Sequence, residues 1–291
     1  MNEIISILNY TFIQRALICG ILISLCAALV GVVLVLKNYS MIGHGLGEVG
    51  FAALALAVAL NLPPIYVSVP LVVVASFIIM FISQRKGESG DITIALVSTG
   101  ALAIGIIITS ISTGFNVDVA NYIFGSILSM TKTDVIISVI VSIVLILCYV
   151  FFYNRLFLVT YDESYAKTKG ISVTTYQFLI SFLTAIIVVL GMRMMGTLLI
   201  SSLIVFPAFI AKGLTSSFKE LVVSSAIISI VCFILGIILS FFVNLPTGAS
   251  IAIIYIGLAI ISKVMVRFAN GALWVAPLRI YWLEARRTGD C

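Results

Sequence analysis

At 291 residues the chain is long enough for one or two domains, yet 62% of it is hydrophobic and only 9% is charged, with mean hydropathy +1.29. About a quarter of an ordinary soluble sequence is charged, so this composition excludes a water-soluble globular domain. The net charge of +5 is scattered as single or paired basic residues between apolar runs, which excludes a phosphate-tracking patch and hence a nucleic-acid partner.

In chain order, apolar runs lie near 13–36, 42–61, 65–83, 91–113, 134–153, 173–191, 194–213, 220–243 and 249–266. Each is long and lacks the alternation of a barrel strand, and in lipid a helix satisfies its own backbone hydrogen bonds. The expected fold is therefore all-α, a polytopic membrane protein of about nine transmembrane helices spanning 1–266, followed by a polar and aromatic tail at 267–291. The N-terminus shows no basic start and no small-residue cleavage site, so the first run is expected to remain as a helix. Turn chemistry separates several runs, as in Asn61-Leu62-Pro63-Pro64, Lys86–Gly90 and Asn244–Gly248.

Two connections are long. Residues 114–133 contain Asn116, Asp118 and Asn121 and then the short apolar stretch Tyr122–Leu128, which suits a re-entrant or interfacial helix. Residues 154–172 are expected to form a loop holding a short helix, with Thr160 or Asp162 as cap, Lys167 and Lys169 in the last turn and Gly170 as the stop. With nine spans, thirteen Lys and Arg fall on the side of 154–172 and three on the other, namely Arg15, Lys132 and Arg193. The positive-inside rule then puts the N-terminus outside and the C-terminus in the cytoplasm.

The chemistry-bearing residues concentrate in the second run, which begins Met41-Ile-Gly-His-Gly-Leu-Gly-Glu-Val-Gly50. His44, the only histidine, and Glu48, the only acid well inside an apolar run, stand four apart and share one helical face. A charge at bilayer depth costs about 2.5–3.5 kcal/mol on insertion scales, so such residues usually face a cavity and serve transport. Imidazole nitrogen and carboxylate oxygen are also ligands for borderline divalent metals such as zinc or manganese. Three readings fit the pair: a metal transit site, a proton relay of a secondary transporter, and a mutual hydrogen bond with a purely structural role.

Gly43, Gly45, Gly47 and Gly50 lack the strand–turn–helix context of a dinucleotide fingerprint; they are expected to let neighbouring helices approach the His/Glu face. Met192, Met194 and Met195 read as apolar filler or as soft-metal ligands, and Cys19, Cys26, Cys148 and Cys232 as small buried hydrophobes. No Gly-x-x-x-x-Gly-Lys-Ser/Thr phosphate loop occurs, so ATP-driven transport requires the ATPase to be a separate chain, and this chain is not itself an enzyme.

Tyr122–Leu128, Tyr161–Gly170, Met195–Ala208 and Leu245–Gly248, together with Gln14-Arg15-Ala16 and Leu36–Gly43, follow one another in the order and spacing of bacterial zinc/manganese permeases. The chain resembles this family (ABC-3), the membrane subunits of ABC importers in the bacterial cytoplasmic membrane, up to about residue 266. The resemblance implies a homodimer, a cytoplasmic ABC ATPase dimer and an extracytoplasmic metal-binding lipoprotein. It also implies that Zn(II) or Mn(II) is carried as substrate, with no tightly bound cofactor. His44 and Glu48 are then the metal residues, and Tyr161, Asp162, Glu163, Ala166, Lys169 and Gly170 match the coupling helix that rests on the ATPase. Asn116, Asp118 and Asn121 face the binding protein. Where members read Gly-Asp-Ala-Leu-Ser-His, this chain has Gly43-His-Gly-Leu-Gly-Glu48. The acid and the histidine have exchanged places, and one donor of each kind does not choose between the two metals. The rivals are a proton-coupled secondary carrier using the same pair and a signalling or scaffold membrane protein.

Overall fold

The computed structural model describes residues 11–85, 90–111, 132–243 and 245–269, and among these there are helices and turns but no strand. The helices are α1 (Thr11–Leu36), α2 (Ile42–Ala59), α3 (Pro64–Arg85), α4 (Gly90–Ile111), α5 (Lys132–Tyr161), α6 (Glu163–Thr168), α7 (Val173–Met195), α8 (Thr197–Lys212), α9 (Phe218–Val243) and α10 (Thr247–Ala269). Eight of them are long and apolar enough to cross a membrane.

The packing inverts that of a soluble bundle. The innermost helices are α1, α2, α7 and α8: α1 packs against α5, α7, α8 and α9, and α2 against α3, α4, α7 and α8. The peripheral helices α3, α4, α5, α9 and α10 turn large apolar side chains outward, among them Leu96, Ile107, Leu147, Phe151 and Ile227. Only a hydrocarbon solvent makes that outer surface favourable, and the helices close on each other through small residues and side-chain hydrogen bonds. Ser229 Oγ donates to the Ser24 carbonyl at 2.8 Å and Ser181 Oγ to the Ser76 carbonyl at 2.8 Å, tying α9 to α1 and α7 to α3. Cys19, Cys26 and Cys232 are buried as small hydrophobes and Cys148 is half-buried; all four thiols are free.

The expected seventh span, 194–213, is present as α8, only 16 residues long. At 1.5 Å per residue it is about 24 Å, short of the roughly 30 Å hydrocarbon core. It is enclosed by α1, α2, α7, α9 and α10, and Leu199, Ile200, Leu203 and Ile204 are fully buried. Its length therefore need not match the lipid. A single residue, Gly196 at φ 86°, separates it from α7, which runs on through Met192, Met194 and Met195 because all three are buried as apolar filler. Met194 also accepts a hydrogen bond on Sδ from Ser138 Oγ at 3.1 Å.

The expected loop 154–172 begins later than its polar residues suggest. Helix α5 continues past Asn154 and Arg155 to Tyr161, 30 residues in all. That is about 45 Å, longer than a bilayer core is thick. Aromatic packing carries it outward: Tyr153, Phe157 and Tyr161 gather round Phe218 at the start of α9, with ring centroids 5.4, 5.1 and 6.0 Å away. Arg155 Nη1 donates to the Tyr176 hydroxyl at 2.6 Å rather than facing open water as a loop residue. The expected re-entrant stretch 122–128, with Asn116, Asp118 and Asn121, lies outside the described residues, as does the tail from 270 onward.

Candidate functional site

The site is built on the first turns of α2. Between α1 and α2 the chain reverses in five residues, Lys37–Met41, with Asn38 in the left-handed region at φ 59°. Tyr39 N–H donates to the Leu34 carbonyl at 2.9 Å and Ile42 N–H to the Tyr39 carbonyl at 3.1 Å, so Tyr39 ties the reversal to both helices. It delivers His44 and Glu48 to one stripe of α2, with His44 Nε2 3.3 Å from Glu48 Oε1.

Most of the rest of α2, up to its exposed end at Val58 and Ala59, is covered. A Cβ at Gly45 would lie 2.6 Å from Ile94 Cγ2 of α4, and one at Gly50 would lie 2.7 Å from Met192 Sδ of α7. These glycines do admit the neighbouring helices closely, but on the flanks and back of α2 rather than on the His/Glu face, which corrects the expectation above. The most open stripe runs from the exposed Met41 and His44 to the half-buried Glu48 and Ala52, and its ionisable side chains keep 53% and 20% of their surface free for His44 and Glu48. A stripe with a histidine and an acid on a membrane-crossing helix is poorly matched to hydrocarbon. Within one chain it offers two donors, and no group of three or more His, Cys, Asp or Glu forms a metal cluster among the described residues.

At the far end of α5 lies a second constellation. Asp162 caps α6 by accepting from Tyr165 N–H at 2.8 Å, whereas the rival cap Thr160 bonds back to the Leu156 carbonyl at 2.6 Å. Gly170 at φ 73° ends the helix, with Ile171 N–H reaching back to the Ala166 carbonyl at 3.0 Å and Gly170 N–H to that of Lys167 at 3.0 Å. This is the six-to-one closure that a left-handed glycine permits. Ala166 is buried beneath the helix, while Tyr161, Asp162, Glu163, Tyr165 and Lys169 are exposed, the Lys169 ammonium lying 5.6 Å from the Tyr165 ring centre.

Two ion pairs escaped sequence reasoning. Lys37 Nζ lies 2.7 Å from Glu163 Oε1, and the same oxygen accepts from Gln177 Nε2 at 2.9 Å. Arg193 Nη2 lies 2.9 Å from Asp134 Oδ1, joining the C-terminal end of α7 to the N-terminal end of α5. Lys37 and Arg193 had counted only as loop charges, because partners 126 and 59 positions apart leave no local signal. Burial first, and the negative charge of Glu163 second, push the Tyr39 hydroxyl above its ordinary range.

An ionisable pair on an inner helix of a multi-pass membrane protein is a feature that membrane transport proteins share. Sequence comparison narrows this: residues 9–266 match the ABC 3 transport family, and the chain belongs to it. Among its relatives, the manganese import system permease protein ScaB of Streptococcus gordonii is 28% identical over 218 residues, 75% of this chain and 78% of that protein. The high-affinity zinc uptake system membrane protein ZnuB of Haemophilus influenzae is 28% identical over 216 residues, 74% of this chain and 83% of that protein. The solved structure of PsaBC from Streptococcus pneumoniae in complex with Fab has a chain that superposes with a TM-score of 0.80 at 27% identity, covering 90% of this chain and 94% of that one.

Proposed function

We propose that this chain is the permease subunit of an ATP-driven importer for Mn(II) or Zn(II), with the ion as cargo passing His44 and Glu48. The observation that carries the reading is the placement of those two side chains 3.3 Å apart on the most open stripe of a largely enclosed helix. An imidazole nitrogen and a carboxylate oxygen suit a borderline divalent cation. Two donors hold it weakly, as a transit site must, and a second copy facing the stripe raises the set to four. Relatives whose names specify manganese and zinc support the substrate class and leave both metals in the assay.

Partners follow from the same reading. The exposed surface of α6, with Tyr161, Asp162, Glu163, Lys169 and Gly170 over the buried Ala166, seats a separate ABC ATPase in the cytoplasm. Asn116, Asp118 and Asn121 on the opposite side receive a metal-binding lipoprotein. Orientation follows the basic residues, with the N-terminus outside and the C-terminus inside. The transport domain covers 1–266, with 267–291 as a cytoplasmic tail.

The test is uptake of radiolabelled zinc and manganese into proteoliposomes holding the permease, its ATPase and its binding protein. Glu48→Gln is expected to lower ATP-dependent uptake by about ten-fold or more, since it removes the only carboxylate donor of the pair. Uptake by wild type that ignores ATP sinks the importer reading. An ATP-independent flux that follows a proton gradient and is abolished by Glu48→Gln establishes the secondary carrier instead.

A further inference from the structure

We propose that the Lys37–Glu163 ion pair is the link through which movement of α6 reaches the His44/Glu48 helix. The inference rests on the reading of α6 as the ATPase seat and adds to it the route by which force leaves that seat.

The route is short and polar. Glu163 lies in the first turn of α6, on the surface-exposed element. Its partner Lys37 is the first residue after α1, and its side chain is only 6% exposed, against 47% for Glu163. A lysine so enclosed is not a solvated topology charge; its cation is held by that carboxylate. Glu163 Oε1 also accepts from Gln177, itself buried in the first turns of α7, so one carboxylate oxygen joins α6, the α1–α2 reversal and α7.

Beyond Lys37 the connection is stiff. Lys37 N–H donates to the Val33 carbonyl at 3.1 Å, Tyr39 N–H to Leu34 at 2.9 Å and Ile42 N–H to Tyr39 at 3.1 Å. Asn38 already occupies the left-handed region, so the reversal has little slack to absorb a displacement. Seven residues after Lys37 comes His44, and four after that Glu48. A shift of α6 pulls on Lys37 and through it on the N-terminal end of α2, tilting the stripe that holds both donors. A static staple would have the same geometry but would alter assembly rather than coupling.

The experiment uses the complete transporter in proteoliposomes, with permease, ATPase and binding protein, and reads metal ions taken up per ATP hydrolysed. Lys37→Met is expected to lower that ratio about ten-fold while the ATPase stays bound, the signature of a lost coupling free energy. The reversed pair, Lys37→Glu with Glu163→Lys, is expected to recover at least about a third of the wild-type ratio, as interacting neighbours do in a double-mutant cycle. Should Lys37→Met not be recovered from membranes, Lys37→Gln reads the same ratio and leaves the α6 surface untouched. The link is overturned by a ratio within about two-fold of wild type in the Lys37 variant, by loss of ATPase binding in step with uptake in that variant, or by a reversed pair that keeps the ATPase bound and is as poor as the single variant. If wild type itself retains no ATPase, the docking reading falls; if the ATPase is retained and the ratio does not move, docking stands and the link falls.

Discussion

Gly31 in α1 and Gly257 in α10 look alike in sequence, each a glycine inside an apolar run, but they meet opposite surroundings. A Cβ on Gly31 would overlap the backbone carbonyl of Ile204, so α1 and α8 cross there backbone against backbone, and a Cβ on Gly257 would meet nothing within 4 Å. A carbonyl in a buried helix cannot rotate aside as a side-chain tip can. Gly31→Ala should therefore destabilise the detergent-solubilised protein by about 1–3 kcal/mol, the usual range for overpacking a tight contact. Gly257→Ala should be neutral or stabilising by up to about 1 kcal/mol, since alanine restricts the unfolded chain more than glycine does. Thermal unfolding followed by loss of helical circular dichroism checks both, and equal melting temperatures would refute the crossing. The same contrast explains what was legible at this scale. His44 and Glu48 could be singled out because an ionisable residue in an apolar run is unusual without any partner being known. Lys37, Gln177, Asp134 and Arg193 could not, because their meaning lies in partners brought close only by the fold.

Among the elements, α6 was readable because its signals are local. An aspartate cap, a lysine in the last turn and a glycine stop fit into nine residues, and the structure uses each as the sequence implies. The end of α5 was not readable, because Asn154 and Arg155 resemble a membrane edge while the force extending the helix comes from Phe218 in a different element. Six residues are too few to form a helix alone, so α6 depends on its cap, its stop and its seat on α5 and α7. Asp162→Ala removes the bond to Tyr165 N–H. Loss of such a cap costs about 1 kcal/mol, so exchange of the amides at 165–168 should quicken about five-fold. Gly170→Ala forces a Cβ into a left-handed backbone at φ 73° and should loosen the same segment at a cost of about 1 kcal/mol. Hydrogen exchange by mass spectrometry separates these outcomes from no change, which would mean that the seat alone holds the helix.

For the molecule as a whole, the surface chemistry makes one demand that a single chain leaves unmet. Most of the outer surface is isoleucine, leucine, valine and phenylalanine, as lipid requires, but the α2 stripe interrupts it with His44 and Glu48. Two ionisable groups in hydrocarbon are costly at any depth near the core, and α3, α4, α7 and α8 already occupy the other sides of the helix. We propose that a second copy related by two-fold symmetry covers the stripe with an identical stripe, since a symmetric contact places the same patch on both subunits. Cysteine at Ala52, four residues along the stripe from Glu48, should then be cross-linked between copies by a thiol-directed bifunctional reagent in native membranes. Cysteine at Ile227, exposed on α9, which packs against α1, α8 and α10, should not. A background with Cys148→Ser and Cys291→Ser removes the half-buried thiol and the one outside the described residues, and Cys19, Cys26 and Cys232 are buried from the reagent. If Ala52→Cys stays monomeric on denaturing gels while Ile227→Cys dimerises, the stripe does not face its own copy, and the four-donor transit site loses its geometry. If cadmium or zinc added beforehand slows cross-linking at Ala52 in wild-type background but not with Glu48→Gln, the dimer interface and the metal path are the same surface.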